Sequence, residues 1–148
     1  MSINGFIVLE GLDGAGTTTQ LDALTKAYEK IGKTVVRTFE PTDSEIGRLI
    51  RRVQRGEIKT TSESLALLYA SDRHNHLFGE NGIVENCEKG SIVLSDRYFY
   101  SSYAYQSSFC DPEWVRSINS YPHPSILIFV DPPVDECLRR INARNEKK

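Results

Sequence analysis

Phe6-Ile7-Val8-Leu9-Glu10-Gly11-Leu12-Asp13-Gly14-Ala15-Gly16-Thr17-Thr18-Thr19-Gln20 is the stretch that decides the fold. It opens on a continuous apolar run, turns through three glycines and enters a segment with Leu21, Leu24, Ala27, Tyr28 and Ile31 at helical spacing. Strand, glycine-rich turn and helix are the context in which G-x-x-x-x-G-K-[ST] cradles phosphate. Gly11 and Gly16 fit that pattern, Thr18 fits its final hydroxyl, and Thr17 stands where lysine is expected. Gly14 and Gly16 let the backbone turn its N–H groups inward, and the helix adds its positive end. Taken alone, the stretch also allows a tight turn with no ligand. The Thr18 hydroxyl sits where a Mg²⁺ ligand belongs, whereas Thr17 cannot place a point charge on the phosphates.

The rest of the composition narrows the class. The 148 residues are of single-domain size, with 39% hydrophobic and 26% charged residues, as in an ordinary globular protein. A net charge of −2 gives no sign of a general nucleic-acid binder. No apolar run approaches the length of a membrane span, and no signal-peptide pattern opens the chain. Cys87, Cys110 and Cys137 are widely spaced, in no C-x-x-C pattern, so reduced thiols and a cytoplasmic location are expected.

Along the chain, strands are expected at 5–10, 34–39, 91–95 and 126–130, each a short apolar run. Helices are expected at 17–31, 44–53, from Thr60 through Leu77, up to Lys89, at 101–107, 112–119 and from Val134 to the end. Thr60 and Glu63 form a candidate capping box for the long helix. The alternation argues a parallel α/β sheet with helices on both faces, one domain spanning 1–148. Ligands of such sheets bind beyond the C-terminal strand ends, where 11–18, 40–43, 95–98 and 131–133 fall. The chain stops inside a charged helical segment, Arg139 to Lys148, and a truncated or partly disordered end is expected. His74 and His76 do not share a helical face, so metal binding there is not expected.

Three further segments carry a resemblance. They are Phe39-Glu40-Pro41 with Glu45-Ile46-Gly47-Arg48-Leu49-Ile50-Arg51, then Leu68-Tyr69-Ala70-Ser71-Asp72-Arg73, then Asp96-Arg97-Tyr98 with Ser101-Ser102-Tyr103-Ala104-Tyr105-Gln106. In this order, after a loop of the form E-G-x-D-G-x-G, they resemble the thymidylate kinases from Phe6 to about Asn145. The resemblance implies a P-loop NTPase fold of three α/β/α layers around a parallel sheet, with four strands present and the last strand and most of a mobile lid missing. It implies transfer of the γ-phosphoryl group of ATP to dTMP with Mg²⁺, giving dTDP for dTTP synthesis, usually by a homodimer. A non-catalytic nucleotide-binding protein, or a kinase for another nucleotide, is the alternative.

By the same resemblance, Gly11, Asp13, Gly14, Ala15, Gly16, Thr17, Thr18 and Thr19 hold the ATP phosphates. Thr18 and Asp96 serve the metal, although Asp96 could equally cap a helix. Asp13, Asp96, Arg97 and Arg144 are the expected catalytic set. Arg97 and Arg51 hold the dTMP phosphate, Tyr69 stacks on thymine, and Arg73 bonds its carbonyl edge. Ser102, Tyr105 and Gln106 line the base and sugar side, with Tyr105 placed to exclude a 2′-hydroxyl. Glu40 and Asp13 face the nucleotide near the sugar hydroxyl and the metal. With Gly14 in the loop, cations for the absent lysine are expected from the lid region, Arg144 ahead of Arg140.

Overall fold

Successive residues of a strand point to opposite faces of its sheet, and the first strand is apolar in both directions. The computed structural model describes residues 1–145. In it, β1 (Ser2–Gly11) pairs in parallel with β3 (Ile92–Asp96) on one side and β4 (His123–Val130) on the other. β2 (Val35–Phe39) pairs in parallel with β3, giving the order β2-β3-β1-β4. Phe6 and Val8 join Val93, Leu77, Ile83, Tyr98 and Phe99 in one buried cluster. Ile7 and Leu9 join Leu94 and Leu21 in the other.

Those clusters name the layers. Leu21 belongs to α1 (Thr17–Lys30), which packs over one face of β1, β2 and β3. Leu77 and Ile83 come from α3 (Ser62–Phe78) and α4 (Ile83–Glu88), which cover the other face. α2 (Glu45–Gln54) leans on α3, α5 (Phe99–Tyr105) follows β3, α6 (Pro112–Ile118) precedes β4, and α7 (Val134–Asn145) follows it. This is the expected three-layer α/β/α sheet. Burying each large apolar side chain of these clusters contributes about 1.5–3 kcal/mol, so Val8→Asp would strike at both the strand and the helices above it.

Four boundaries differ from expectation for identifiable reasons. The long helix is capped by Thr61, whose Oγ1 accepts from the Ser64 N–H at 3.2 Å; the pairing of Thr60 with Glu63 is one residue out of phase. α5 starts at Phe99, two residues early, because the buried Glu10 carboxylate accepts from the Tyr98 and Ser101 N–H groups. β4 begins at His123, since Ser2 and Ile3 extend β1 and pair with His123 and Pro124. β4 is also an edge strand among the described residues, with Ile126, Leu127 and Phe129 exposed, not a buried one. The helix expected to continue to Lys148 lies, for 146–148, outside the described residues.

Candidate active site

The C-terminal ends of β1, β2 and β3 deliver Gly11, Phe39 and Asp96 to the same edge of the sheet. Gly14 (φ +80°) and Gly16 (φ +98°) take the left-handed backbone that lets the loop wrap inward. Gly16 is the N-cap of α1, and no side chain caps that end. The first N–H groups of a 14-residue helix therefore face a cleft of about 460 Å³ without a protein partner on that side. Thr17, Thr18, Asp96, Arg97, Arg140 and Arg144 line the same cleft.

Thr17 has a definite role there. Its hydroxyl donates to Asp96 Oδ2 at 3.2 Å, across a sequence separation of 79 residues. Burial pushes the Asp96 carboxyl above its ordinary value, and the Thr17 bond and the nearby Arg97 oppose that shift. Asp96 and Thr18 together present a carboxylate and a hydroxyl, oxygen donors of the kind that hold Mg²⁺ alongside substrate phosphates. No group of three or more metal-ligating side chains is found among the described residues.

Arg97 divides this cleft from a second. Its backbone sits at φ +74°, a region L side chains seldom adopt and one that clusters at functional sites. Its Nη2 donates to Asp13 Oδ1 at 2.6 Å, its Nη1 donates to Ser101 Oγ at 3.0 Å, and its guanidinium lies 5.7 Å from the centre of the Tyr105 ring. Ser101 Oγ in turn donates to Glu10 Oε2 at 2.7 Å. Asp13 and Arg97 line both clefts.

The second cleft, about 260 Å³, has an aromatic wall of Tyr69, Tyr98 and Tyr105 and polar corners at Arg73, Ser102 and Gln106. The Tyr69 hydroxyl accepts from Gln54 Nε2 at 2.5 Å, which anchors one end of a ring that lines the cleft. Arg73 is almost wholly buried. Its Nε donates to Glu40 Oε2 at 2.8 Å, its Nη1 to Asn119 Oδ1, and its Nη2 to Ser102 Oγ at 3.1 Å. Glu40 Oε1 lies 3.1 Å from His76 Nδ1, and the His76 Nε2 lies 2.5 Å from Thr38 Oγ1.

A family profile described as thymidylate kinase matches residues 9–148. The chain belongs to the thymidylate kinase family. A relative named as a thymidylate kinase in Treponema pallidum is 42% identical over 96% of this chain and 68% of its own length. One so named in Pyrococcus horikoshii is 46% identical over 94% of this chain and 70% of its own. A solved thymidylate kinase from Ehrlichia chaffeensis superimposes with a TM-score of 0.74 at 26% identity, covering 96% of this chain and 80% of that one. The P-loop NTPase fold is that of this family.

Set on this thymidylate kinase framework, most expected site residues converge. Asp13, Gly14, Gly16, Thr17, Thr18, Glu40, Asp96, Arg97 and Arg144 meet in the first cleft. Glu40, Tyr69, Arg73, Arg97, Ser102, Tyr105 and Gln106 meet in the second. Gly11 ends β1, Ala15 lies in the loop and Thr19 in the first turn of α1, and none of the three lines either cleft. Arg51 also lines neither: its guanidinium donates to the Pro41 carbonyl at 2.8 Å and to Asp43 at 2.7 Å. Glu40 borders both clefts, and its two oxygens are engaged by Arg73 and His76.

Several residues escape sequence reasoning. Asn119 reaches Arg73 from α6, 46 positions away, with no local pattern to mark it. Asp72 ties down the 41–44 segment by accepting from the Thr42 N–H and from the Thr42 and Ser44 hydroxyls. Glu10 was visible only as a polar residue ending an apolar run. Among the described residues, no helix is long and apolar enough to cross a membrane.

Proposed function

We propose that the protein transfers the γ-phosphoryl group of ATP to dTMP, giving ADP and dTDP, with Mg²⁺. The observation that carries this is the pair of adjoining clefts with a common wall at Asp13 and Arg97. One has the glycine loop and an uncapped helix end suited to a triphosphate. The other has an aromatic wall and amide, hydroxyl and guanidinium groups suited to a pyrimidine base. Two nucleotides so placed bring an acceptor phosphate oxygen towards the γ-phosphorus, and as that bond forms the β–γ bridging bond breaks and ADP leaves.

Little covalent chemistry is asked of the protein; positioning and charge neutralisation supply the rate. The loop N–H groups and α1 hold the donor phosphates. Arg97, on the common wall, holds the acceptor phosphate as a fork. Tyr69 stacks on the base, Arg73 and Gln106 bond its edge, and Tyr105 crowds the 2′ position of the sugar. Arg51 serves the acceptor phosphate on release from Asp43. Asp96 and Thr18 are the residues that would hold Mg²⁺, which would neutralise part of the charge on the donor phosphates.

The protein works in the cytoplasm as a homodimer in this proposal. Leu67 and Phe78, about half exposed on α3, border a shallow groove with Ile46 and Tyr121, and this face suits a two-fold contact. Leu67→Glu is expected to give a monomer by analytical ultracentrifugation, and an unchanged dimer would place the contact elsewhere.

The deciding experiment is ADP release with ATP, Mg²⁺ and each nucleoside monophosphate in turn. Turnover with dTMP alone is expected. Binding of dTMP without turnover would remove the catalytic assignment, and turnover with another monophosphate would remove the base-pocket assignment.

A further inference from the structure

Thr17 leaves the phosphate cleft without the cation that this loop motif normally supplies. Three cations line the cleft, Arg97, Arg140 and Arg144, and of these Arg140 alone touches the loop backbone among the described residues. α7 brings it there by packing directly on the loop. A Cβ on Gly14 would stand 2.6 Å from the Cys137 carbonyl oxygen and 3.1 Å from a side-chain carbon of Ile141, so the helix can approach only because residue 14 is glycine. From that seat Arg140 Nη1 donates to the Ala15 carbonyl at 3.0 Å and to the Gly14 carbonyl at 3.3 Å. Its Nε donates to Glu136 Oε1 at 2.6 Å, which fixes the side chain from behind.

Two further observations set the direction of the charge. A Cβ on Gly16 would lie 3.3 Å from Arg140 Nη1, so the guanidinium is in van der Waals reach of the residue next to Thr17. Arg140 Nη2 makes no hydrogen bond among the described residues, and the side chain lines the cleft. Arg97 differs, being turned to Asp13 and Ser101 on the acceptor side.

We propose that Arg140 takes the place of the missing loop lysine, keeping Nη1 on the loop carbonyls while Nη2 donates to the terminal phosphate oxygens of the bound triphosphate. A guanidinium suits this division because its donors form a rigid fork, whereas one ammonium cannot brace a loop and reach a phosphate in fixed geometry. The loop and its cation thus come from segments 125 positions apart. This rests on the first cleft being the ATP phosphate site.

The test compares binding of ATP and of AMP, with Mg²⁺, by calorimetry on the wild type, Arg140→Ala, Arg140→Gln, Thr17→Lys and Arg140→Ala/Thr17→Lys. A charge-assisted contact to the terminal phosphates predicts that both Arg140 single variants lose at least about tenfold in ATP affinity. AMP, which lacks those phosphates, should change by less than about threefold. Lysine at 17 should restore most of the lost ATP affinity to Arg140→Ala. Arg140→Gln keeps an amide donor for the loop carbonyls, so it serves where the alanine variant folds poorly. The proposal is overturned if either folded variant binds ATP as the wild type does, or if ATP and AMP weaken alike. It also falls if lysine at 17 leaves Arg140→Ala weak, since the arginine would then be only a brace. A wild type that binds no ATP at all would instead refute the phosphate-cleft assignment beneath it.

Discussion

Replacing Glu40 by glutamine should destabilise the protein far more than a single lost hydrogen bond would. The Glu40 and Arg73 side chains are 3% and 1% exposed, so their charges neutralise each other with almost no help from water. Removing one partner of a buried ion pair costs about 3–5 kcal/mol, because the other charge is left uncompensated. Glutamine preserves shape and can still accept from Arg73 Nε, which returns about 1 kcal/mol. Asn119 and Ser102 stay in place but are neutral. The net loss is then about 2–4 kcal/mol, and for a chain of this size that lowers Tm by roughly 5–15 °C. Thermal unfolding followed by circular dichroism reads the change directly. The partner experiment is Arg73→Met and the double variant, where the two losses should fall short of additive by at least about 1 kcal/mol. A loss below about 1 kcal/mol for Glu40→Gln, or strict additivity, would show that water already solvates the Arg73 charge and that Glu40 does not hold Arg73.

Thr17→Val removes the hydroxyl that stabilises ionised Asp96, so the carboxyl, already raised by burial, rises further. The acid limb of kcat/KM should move to higher pH, and an unmoved limb would mean that Asp96 does not have to be ionised for turnover. Glu10 titrates in the same sense for stability: burial holds its folded carboxyl above the ordinary 4.5. The folded state therefore binds that proton more tightly than the unfolded one, and stability falls as pH rises from 4.5 through the folded value. Chemical denaturation across that range should show the decline in the wild type and a flatter curve in Glu10→Gln; parallel curves would assign the slope to other groups. Tyr69→Ala should raise KM for dTMP by roughly 5–100-fold, as expected for a lost base–aromatic stack of about 1–3 kcal/mol, with KM for ATP little changed. Equal effects on both would mean that the ring supports the fold and not the base.

How much of this was legible in the chain depends on the range of the interaction. The first strand, the glycine turn and α1 were readable because strand burial, left-handed glycines and helical spacing are local signals, and the structure differs there by a few residues only. Tyr69 and Arg73 were paired correctly by helical phase, one turn apart. The contacts of Arg73 were not readable, since Glu40, Asn119 and Ser102 arrive from three separate segments; motifs mark Glu40 and Ser102 without pairing them to Arg73, and nothing local marks Asn119. Sequence spacing puts Arg144 ahead of Arg140 and carries no information on how α7 packs; the close approach at Gly14 is what brings the Arg140 proposal forward.

On the proposed function, the ion pair between Arg97 and Asp13 couples the two clefts. The Arg97 guanidinium is paired with Asp13, and a phosphate bound on either side must draw it away or share it. The first nucleotide bears that disruption and the second finds the guanidinium already turned, so each should strengthen binding of the other by the same factor. The factor is modest. With Asp13 75% exposed, the pair is worth about 0.2–1 kcal/mol, which caps the mutual enhancement at about fivefold and makes it fade as salt screens the pair. A wall built from one solvent-facing salt bridge thus favours the doubly loaded protein over either half-loaded one.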